Sequence, residues 1–355
     1  MSYTDEITTL AFDWGGTLML EDSRFNSAMV DWPEVAAVDG IREALQALKG
    51  HYRMVVVTNA TESNAALVRA ALARVGLDSF FSDIFTFNEV KARKPDPRFF
   101  RGVESALGTA PHHMAMVGDY FWADVVGACQ AGWRAMWFNP EGEACPGLIP
   151  PHSAELVHMA DLPAALNHPL LPDLQTCHLW CLEQGFSFAA WQHVSLVAAI
   201  AYQLAVWLRA WGHAVDPILA QRGGLLHDLA KISAQRIATS ASHGEVGASL
   251  LRERGQPDLA EIARRHMIRL SDADSSPRTW EEKLVHFADR LAEGSRLVPL
   301  DERLHGLCER YPKNAASILH QQAPEEALQA EICQAAGGTA PQNLLAELQK
   351  ALRGN

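Results

Sequence analysis

The stretch FDWGGTL, residues 12–18, closes an apolar run that begins at Ile7 and leads into a glycine turn. An apolar run that stops at a turn is typical of a buried strand. Further apolar runs and stretches of helical periodicity then alternate, with runs at residues 54–59, 114–119 and 134–139 and helical stretches at 41–49, 62–75, 97–107 and 123–131. This alternation predicts a parallel sheet covered on both faces, and hence a doubly wound α/β first domain.

Polar side chains stand where three of these strands are expected to end. Asp13 follows the first strand, Thr58 lies near the end of the second, and Asp119 closes the run at 114–119. Ligands of open α/β sheets bind beyond the carboxyl ends of the strands. We therefore expect these three side chains to meet in one site.

The pattern changes after residue 139. The stretches NPEGEACPGLIPP (139–151) and LNHPLLPD (166–173) are rich in proline and glycine, which is typical of a domain edge and a linker. Helical periodicity dominates beyond them, at residues 189–211, 217–230, 243–254, 257–267, 280–292 and 342–352. We expect two domains, residues 1–167 and 168–355, the second of them all-α with a C-terminal helical tail.

Composition limits the classes of protein. The chain has 355 residues and a formal net charge of −12, and its six cysteines form no CxxC pair. A negative balance disfavours non-specific nucleic-acid binding, which relies on a basic face. No apolar run approaches the ~20 residues of a membrane span, the start lacks a secretory layout, and the scattered cysteines fit a reducing compartment. We expect a cytoplasmic protein that binds neither nucleic acid in general nor a membrane.

Four ordered motifs in the first half carry a resemblance to a known family. They are FDWGGT with Asp13, VVVTNA with Thr58, KARKPDP with Lys94, and VGDYFWAD with Asp119 and Asp124. Over roughly residues 5–165 the chain resembles the haloacid dehalogenase (HAD) superfamily of phosphatases and related hydrolases. The spacings of 40 and 35 residues between the first three motifs are too short for the cap domains of this family, so we expect a capless member.

The HAD resemblance implies a role for each of these residues. Asp13 would be the nucleophile, and Asp13 and Asp119 would hold Mg²⁺ with Asp124 in support. Thr58 and Lys94 would bind the phosphoryl oxygens by hydrogen bond and charge.

The resemblance breaks at Gly15, where these enzymes usually carry a second aspartate that serves as general acid and base. Such a group contributes about 10²–10⁴-fold in rate. The domain is then a slow or unusual hydrolase, or a phosphate-binding or regulatory module. Gly15 could also meet a plain backbone need, a tight turn with positive φ.

Histidines and aspartates recur on the helical segments of the second half. The strings are WQHVSLV, GGLLHDLAK, HGEVGASLL, IARRHMI and VHFADRL, which contain His193, His227, Asp228, His243, His266 and Asp289. Four imidazoles and two carboxylates suit a dinuclear site for borderline-to-hard metals. Over roughly residues 185–312 the chain resembles the HD-domain metallohydrolases, and more narrowly the bacterial HD proteins that include the symmetrical diadenosine tetraphosphate hydrolases.

The HD resemblance implies two divalent metals, Fe, Mn or Mg. One would be bound by His193, His227, Asp228 and Asp289, and Asp228 would bridge to a second held by His243 and His266. Two metals ~3.5–4 Å apart can generate a bridging hydroxide and clamp a phosphoryl oxygen.

Three basic residues accompany this set of ligands. Lys231 lies three residues after Asp228, on the same helical face, and is predicted to contact phosphate. Arg265 and Arg290 either touch a substrate phosphate or pair with acidic neighbours.

The sequence therefore predicts a metal-dependent phosphohydrolase. Its HD site would cleave a phosphoanhydride or phosphate ester bond in a small, nucleotide-like substrate, and its HAD domain would be a weak phosphatase or a phosphate-binding, regulatory module. Two alternatives stay open: an HD-type di-iron oxygenase, since the same ligands suit iron, and a non-catalytic sensor of phosphorylated metabolites. The tail from residue 312 onward packs on the HD domain or forms a homodimer contact.

Overall fold

The computed structural model describes residues 7–146, 150–167, 169–237, 241–267 and 276–353. The chain divides into two compact units: residues 1–146 together with 151–173, and residues 147–150 together with 174–355. The boundary predicted between residues 167 and 168 stays a prediction, since residue 168 lies outside the described residues.

The first unit is built on a six-stranded sheet in which every neighbouring pair is parallel. The strands, in the spatial order β3-β2-β1-β4-β5-β6, are β1 (Thr9–Phe12), β2 (Arg53–Val57), β3 (Asp83–Phe85), β4 (Met114–Gly118), β5 (Arg134–Phe138) and β6 (Ala154–Leu156). The four predicted strands are all found. β3 and β6 escaped the sequence pattern because each has only three residues.

Helices cover both faces of this sheet, as the apolar strands predicted. They are α1 (Ile41–Leu48), α2 (Ala65–Arg74), α3 (Phe87–Val90), α4 (Pro97–Leu107), α5 (Gly127–Gln130) and α6 (Leu162–Asn167). Leu10 and Phe12 of β1 enter the core on one face, and Ala11 enters the core on the other. The α/β fold class is therefore confirmed.

Local sequence accounts for the bounds of α4. The Asp96 carboxylate accepts a hydrogen bond from the Arg98 N–H, and Pro97 occupies the first helical position. The helix ends at Gly108, which has a φ of 65°. The helix predicted at 123–131 is less regular: a π-helical segment, Phe121–Val126, precedes α5.

Short segments occupy the two places where a cap domain would be inserted. Between Leu18 and α1 the chain forms a single 3-10 turn, Met29–Asp31. Between Thr58 and Lys94 it forms α2, a 3-10 turn, β3 and α3, and β3 belongs to the main sheet.

The second unit is helical. Its helices are α7 (Leu174–Glu183), α8 (Phe188–Ala210), α9 (Pro217–Leu226), α10 (Lys231–Ile237), α11 (His243–Glu253), α12 (Pro257–Arg265), α13 (Trp280–Arg290), α14 (Leu300–Arg310), α15 (Ala315–His320), α16 (Gln322–Ala335) and α17 (Pro341–Leu352). The structure adds one feature to the all-α prediction, an antiparallel pair of two-residue strands, β7 (Ala292–Glu293) and β8 (Arg296–Leu297).

Helix α8 lies at the centre of this unit and packs against α9 and α13. In the part of the chain that the structure describes, it is also the one helix long and apolar enough to cross a membrane by length and composition. Half of the most apolar 18-residue stretch of α8 is buried inside the protein, and His193 lies within the helix. We therefore describe α8 as a core helix.

Candidate functional site

The first unit gathers five predicted side chains at the carboxyl edge of its sheet. They are Asp13 after β1, Thr58 after β2, Asp119 after β4, Lys94 in the loop before α4, and Asp124 in the π-helical segment. Asp13, Asp119 and Asp124 offer carboxylate oxygens that all lie within 4.8 Å of one another. Of the three side chains expected to meet at the strand ends, Asp13 and Asp119 therefore do so, and Thr58 lines the same cavity.

Lys94 is the cation at the centre of this cluster. Its Nζ donates to Asp13 Oδ1 and Asp124 Oδ1, both at 2.6 Å, and to the Val57 carbonyl at 2.8 Å. The side chain is 1% exposed. Burial by itself would lower the pKa of Lys94, but the charges of Asp124 and Asp13 outweigh it and raise the pKa. Lys94 therefore stays charged and holds two carboxylates in place.

Asp119 faces the same cavity from β4. Its Oδ1 accepts from the Thr17 hydroxyl at 2.8 Å, and its N–H donates to that hydroxyl at 3.1 Å. Burial and the nearby Asp13 carboxylate raise the pKa of Asp119 to about 6. Gly16 has a φ of 76°, and a Cβ on it would lie 2.2 Å from Asp119 Oδ2. Glycine is therefore required at position 16 both by the positive φ and by the closeness of the Asp119 carboxylate.

Gly15 lies against a different side chain. The positive φ suggested from the sequence for Gly15 is wrong, since the left-handed conformation belongs to Gly16. A Cβ on Gly15 would lie 2.0 Å from Oε1 of Glu21. Partial burial and the Asp13 charge raise the pKa of Glu21. Sequence reasoning missed Glu21, because nothing in the spacing of six residues indicates that its side chain returns to Gly15.

These groups open into one cavity of about 650 Å³. Asp13, Glu21, Lys94 and Asp119 line its polar end, and Trp14, Phe25, Trp32 and Tyr120 are among the other lining residues. The cavity can admit a small molecule that carries an anionic group.

The second unit gathers all six residues predicted as metal ligands, here called the His/Asp cluster: His193, His227, Asp228, His243, His266 and Asp289. They come from α8, the turn after α9, the start of α11, the end of α12 and α13. Residues within or directly after five helices therefore come together in one place, as the helical pattern and the residue types predicted.

Asp228 and Asp289 are the carboxylates of this cluster. Oδ1 of Asp228 lies 3.1 Å from His243 Nε2 and 3.4 Å from His266 Nε2, and its Oδ2 lies 3.5 Å from His227 Nε2. Oδ1 of Asp289 lies 3.1 Å from His193 Nε2. The two oxygens of Asp228 thus face different imidazoles.

Backbone carbonyls orient three of the imidazole rings. Each lies within hydrogen-bond distance of a ring Nδ1: Gly294 at 3.2 Å from His193, Gly224 at 2.7 Å from His227, and Ala263 at 2.6 Å from His266. Engaging Nδ1 leaves Nε2 directed at the carboxylates.

The electrostatics of the cluster favour neutral imidazole beside ionised carboxylate. Burial lowers the pKa of His227 to about 3 and also lowers the pKa of His266. Burial by itself would raise the pKa of Asp228, but the surrounding His227, His243, His266 and Lys231 bring it well below its usual range. Neutral imidazole and carboxylate are the protonation states that bind a divalent cation.

The predicted basic residues fall into two groups, one partly exposed lysine and two buried arginines. Lys231 donates to Asp228 Oδ2 and its side chain is 40% exposed. Arg265 is buried and donates to the Ser276 carbonyl and to Glu261. Arg290 is buried and donates to Asp289 Oδ2 at 2.5 Å and to the His266 carbonyl at 3.0 Å. Of the two alternatives for these arginines, the structure favours pairing with protein groups.

Arg303 is a further residue that sequence reasoning missed. Its guanidinium lies over Asp289, with Nε donating to the Asp289 carbonyl at 3.3 Å and Nη1 donating to Glu293 at 2.5 Å. It comes from α14 and fixes the end of α13 against the β7–β8 pair.

Comparison with known proteins identifies the families. Residues 29–132 match a family model described as haloacid dehalogenase-like hydrolase, and residues 190–294 match the HD domain. The second match contains the whole His/Asp cluster, whereas Asp13 and Gly15 precede the first.

Three similar proteins illustrate the range of relatives. An uncharacterized protein of Methanocaldococcus jannaschii is 37% identical over 36% of this chain and 80% of its own length. A phosphoserine phosphatase of Thermus thermophilus is 46% identical over 23% of this chain, and the match spans 35% of that enzyme. A solved structure of an uncharacterized Listeria monocytogenes protein covers 45% of this chain and 97% of its own, with 28% identity and a TM-score of 0.41.

The chain therefore belongs to the haloacid dehalogenase-like hydrolases and carries an HD domain in the same polypeptide. The resemblance to both families is confirmed. The first of these families is a hydrolase family, and both families generally use divalent metals, with Mg²⁺ in the HAD family.

Proposed function

We propose that the HD domain hydrolyses a phosphoanhydride or phosphate ester bond in a small, nucleotide-like substrate, with two divalent cations held by the His/Asp cluster. The observation that carries this proposal is the convergence of four imidazole Nε2 atoms on the carboxylates of Asp228 and Asp289. The substrate class is carried over from the sequence resemblance to the bacterial HD proteins that include the symmetrical diadenosine tetraphosphate hydrolases.

The residues of the cluster fit a metal centre. Among the described residues, the buried His193 Nε2 and His227 Nε2 make no hydrogen bond of good geometry, although carboxylate oxygens lie 3.1 and 3.5 Å from them. An unsatisfied buried polar atom costs about 1–3 kcal/mol. Cations would satisfy these nitrogens and neutralise Asp228 and Asp289. When bound, they would supply an activated water and stabilise charge on the phosphoryl oxygens.

The chain's own residues would divide the remaining work. Asp228 faces His243 and His266 with one oxygen and His227 with the other, which suits a carboxylate that bridges two cations. Lys231 is the partly exposed cation beside Asp228 and would bind a phosphoryl oxygen. Arg290 would position Asp289 and the His266 backbone from behind.

The first unit would add a phosphate-binding site or a weak phosphatase. Asp13 and Asp124 share the Lys94 ammonium, and the nearby Asp119 accepts, within the part of the chain that the structure describes, only from the Thr17 hydroxyl, so a cation such as Mg²⁺ would balance the charge of these carboxylates. Asp13 would attack the phosphorus, and Thr58 and Lys94 would hold its oxygens.

The test compares full-length variants in phosphate and nucleotide release from diadenosine tetraphosphate, nucleoside mono- and triphosphates and cyclic nucleotides, with Mg²⁺, Mn²⁺ or Fe²⁺. Asp228→Ala should lower release by at least about 100-fold. Asp258→Asn is the matched control, since Asp258 is an exposed aspartate in the first turn of α12.

Each other outcome contradicts a specific part of the proposal. Undiminished release in Asp228→Ala would refute the HD site as the centre of hydrolysis. Loss in Asp13→Asn alone would make the first unit the main enzyme. Oxygen uptake by anaerobically iron-loaded protein, without phosphate release, would establish the oxygenase alternative, and tight ligand binding without turnover would establish the sensor.

A further inference from the structure

The loop after β1 brings a carboxylate to the place that Gly15 leaves open. A Cβ on Gly15 would lie 2.0 Å from Glu21 Oε1, 2.8 Å from its Cδ and 3.0 Å from its Cγ. At these distances either the flexible Glu21 side chain or an added side chain at position 15 has to shift. The Glu21 carboxylate therefore fills the volume that a side chain at position 15 would need, and glycine at position 15 makes room for it.

The backbone holds this arrangement from both sides. Gly16 N–H donates to the Met19 carbonyl, and Met19 N–H donates to the Trp14 carbonyl, both at 2.9 Å. Leu20 N–H donates to the Ala36 carbonyl, also at 2.9 Å. These bonds fold residues 14–20 into a tight loop and deliver the next residue, Glu21, over Gly15. The main chain thus brings the Glu21 backbone to this place, and the side-chain rotamer carries the carboxylate over Gly15.

Glu21 also lies at the reactive end of the cavity. It lines the same 650 Å³ space as Asp13, Lys94 and Asp119. The Glu21 side chain is exposed to that space, whereas Lys94 and Asp124 are buried and form an ion pair with each other. Among the described residues that line the polar end, Glu21 is thus a carboxylate free of an ion pair with Lys94.

We infer that Glu21 is the proton-transfer residue of the first unit and replaces the aspartate that these hydrolases carry at position 15. This rests on the weak-phosphatase form of the proposed function, in which Asp13 is the nucleophile. As an Asp13 oxygen bonds to phosphorus, the bond to the leaving oxygen breaks, and the Glu21 proton passes to that oxygen to give an alcohol. Water then attacks phosphorus and gives a proton to Glu21, while the Asp13–phosphorus bond breaks and phosphate leaves.

The role predicts a dependence on the leaving group that a structural role would not produce. A good leaving group departs without a proton, whereas a poor one needs a proton in the transition state. All variants are made in the full-length chain with Asp228→Ala, so that the HD site does not contribute. Glu21→Gln should lower kcat/KM for phenyl phosphate about 10²–10⁴-fold, and for 2,4-dinitrophenyl phosphate less than about 10-fold.

Two further variants sharpen the test. The double variant Gly15→Asp with Glu21→Ala moves the carboxylate back to position 15 and should restore most of the phenyl phosphate activity. Gly15→Asp alone should do worse than the double variant, because the two carboxylates compete for one volume. Asp22→Asn is the control, because Asp22 is the neighbouring acidic residue and pairs with Arg24.

Each outcome bears on the inference. The unequal loss with rescue by the double variant supports it. An equal loss for both substrates would overturn it and make Glu21 a metal ligand or a structural group, and no loss would make it a space filler. Release that Asp13→Asn abolishes but Glu21→Gln spares defeats the Glu21 inference alone. Absence of any Asp13-dependent release defeats both that inference and the phosphatase role.

Discussion

Gly224→Ala tests how the second unit assembles its site. Gly224 lies in α9 where this helix crosses α8, three residues before His227. A Cβ at this position would lie 2.5 Å from Ala198 Cα and 2.7 Å from Ala198 N. Both atoms belong to the backbone of α8, so no side-chain rotation can relieve the clash, and the helices must separate.

The separation can be estimated from these distances. Ordinary contact begins at 3.4 Å, so the helices must move apart by about 3.4 − 2.5, or roughly 0.9 Å. Overpacking of this kind costs about 1–3 kcal/mol. His193 on α8 would also move away from His227, because its position depends on the same crossing. We therefore expect weaker metal binding as well as lower stability.

Urea unfolding and metal titration measure the two effects. Gly247→Ala is the matched control, since Gly247 is a buried helical glycine whose added Cβ would meet no atom closer than 3.8 Å. That variant should be neutral or stabilising by about 0.5–1 kcal/mol. If Gly224→Ala matches the wild type in both stability and metal affinity, the close helix crossing does not set the geometry of the cluster.

The remaining predictions concern charge and metal. Lys94→Ala should destabilise the first unit by about 3–5 kcal/mol, because it leaves the Asp13 and Asp124 carboxylates together without their cation. Thermal unfolding measures this loss, and Lys49→Ala, which removes an exposed lysine, is the control. Metal-free protein should lose stability as pH falls, because the pKa of His227 is about 3 in the folded chain and near 6.5 when unfolded, so the unfolded state takes up the proton first. The loss from this group is about 1.4 kcal/mol per pH unit below 6.5; equal urea midpoints at pH 7.5 and 5.5 in EDTA would contradict it. Metal bound by the His/Asp cluster should raise the melting temperature of the second unit in wild type and not in Asp228→Ala, as calorimetry with and without EDTA would record.

Local sequence patterns were enough to predict most of the strands and helices. Apolar runs, glycine stops and the proline at the start of α4 are read from adjacent residues, so strands and helices were predicted near their observed bounds. The strands that the sequence pattern did not predict were also missed for a local reason. β3 and β6 are three residues long, and the β7–β8 pair uses two residues a strand, which is shorter than any usable periodicity.

The candidate ligands were predictable because their identity is chemical. Imidazoles and carboxylates on successive helices suit a metal site whatever the exact packing, and the HD strings gave their order. The roles of Arg265 and Arg290 were not predictable. Whether a guanidinium faces a ligand or a neighbouring carboxylate depends on side chains that the fold brings from other elements, here Glu261 and Asp289.

The sequence by itself determined the two-part organisation, the parallel sheet, and which residue types could do chemistry. It also established that position 15 lacks a carboxylate. Only the tertiary structure decided what takes that place, since the path of residues 16–20 returns Glu21 to Gly15. The physical reason is that periodicity depends on neighbours along the chain, whereas the volume open to a side chain depends on backbone hydrogen bonds that fold the chain back on itself.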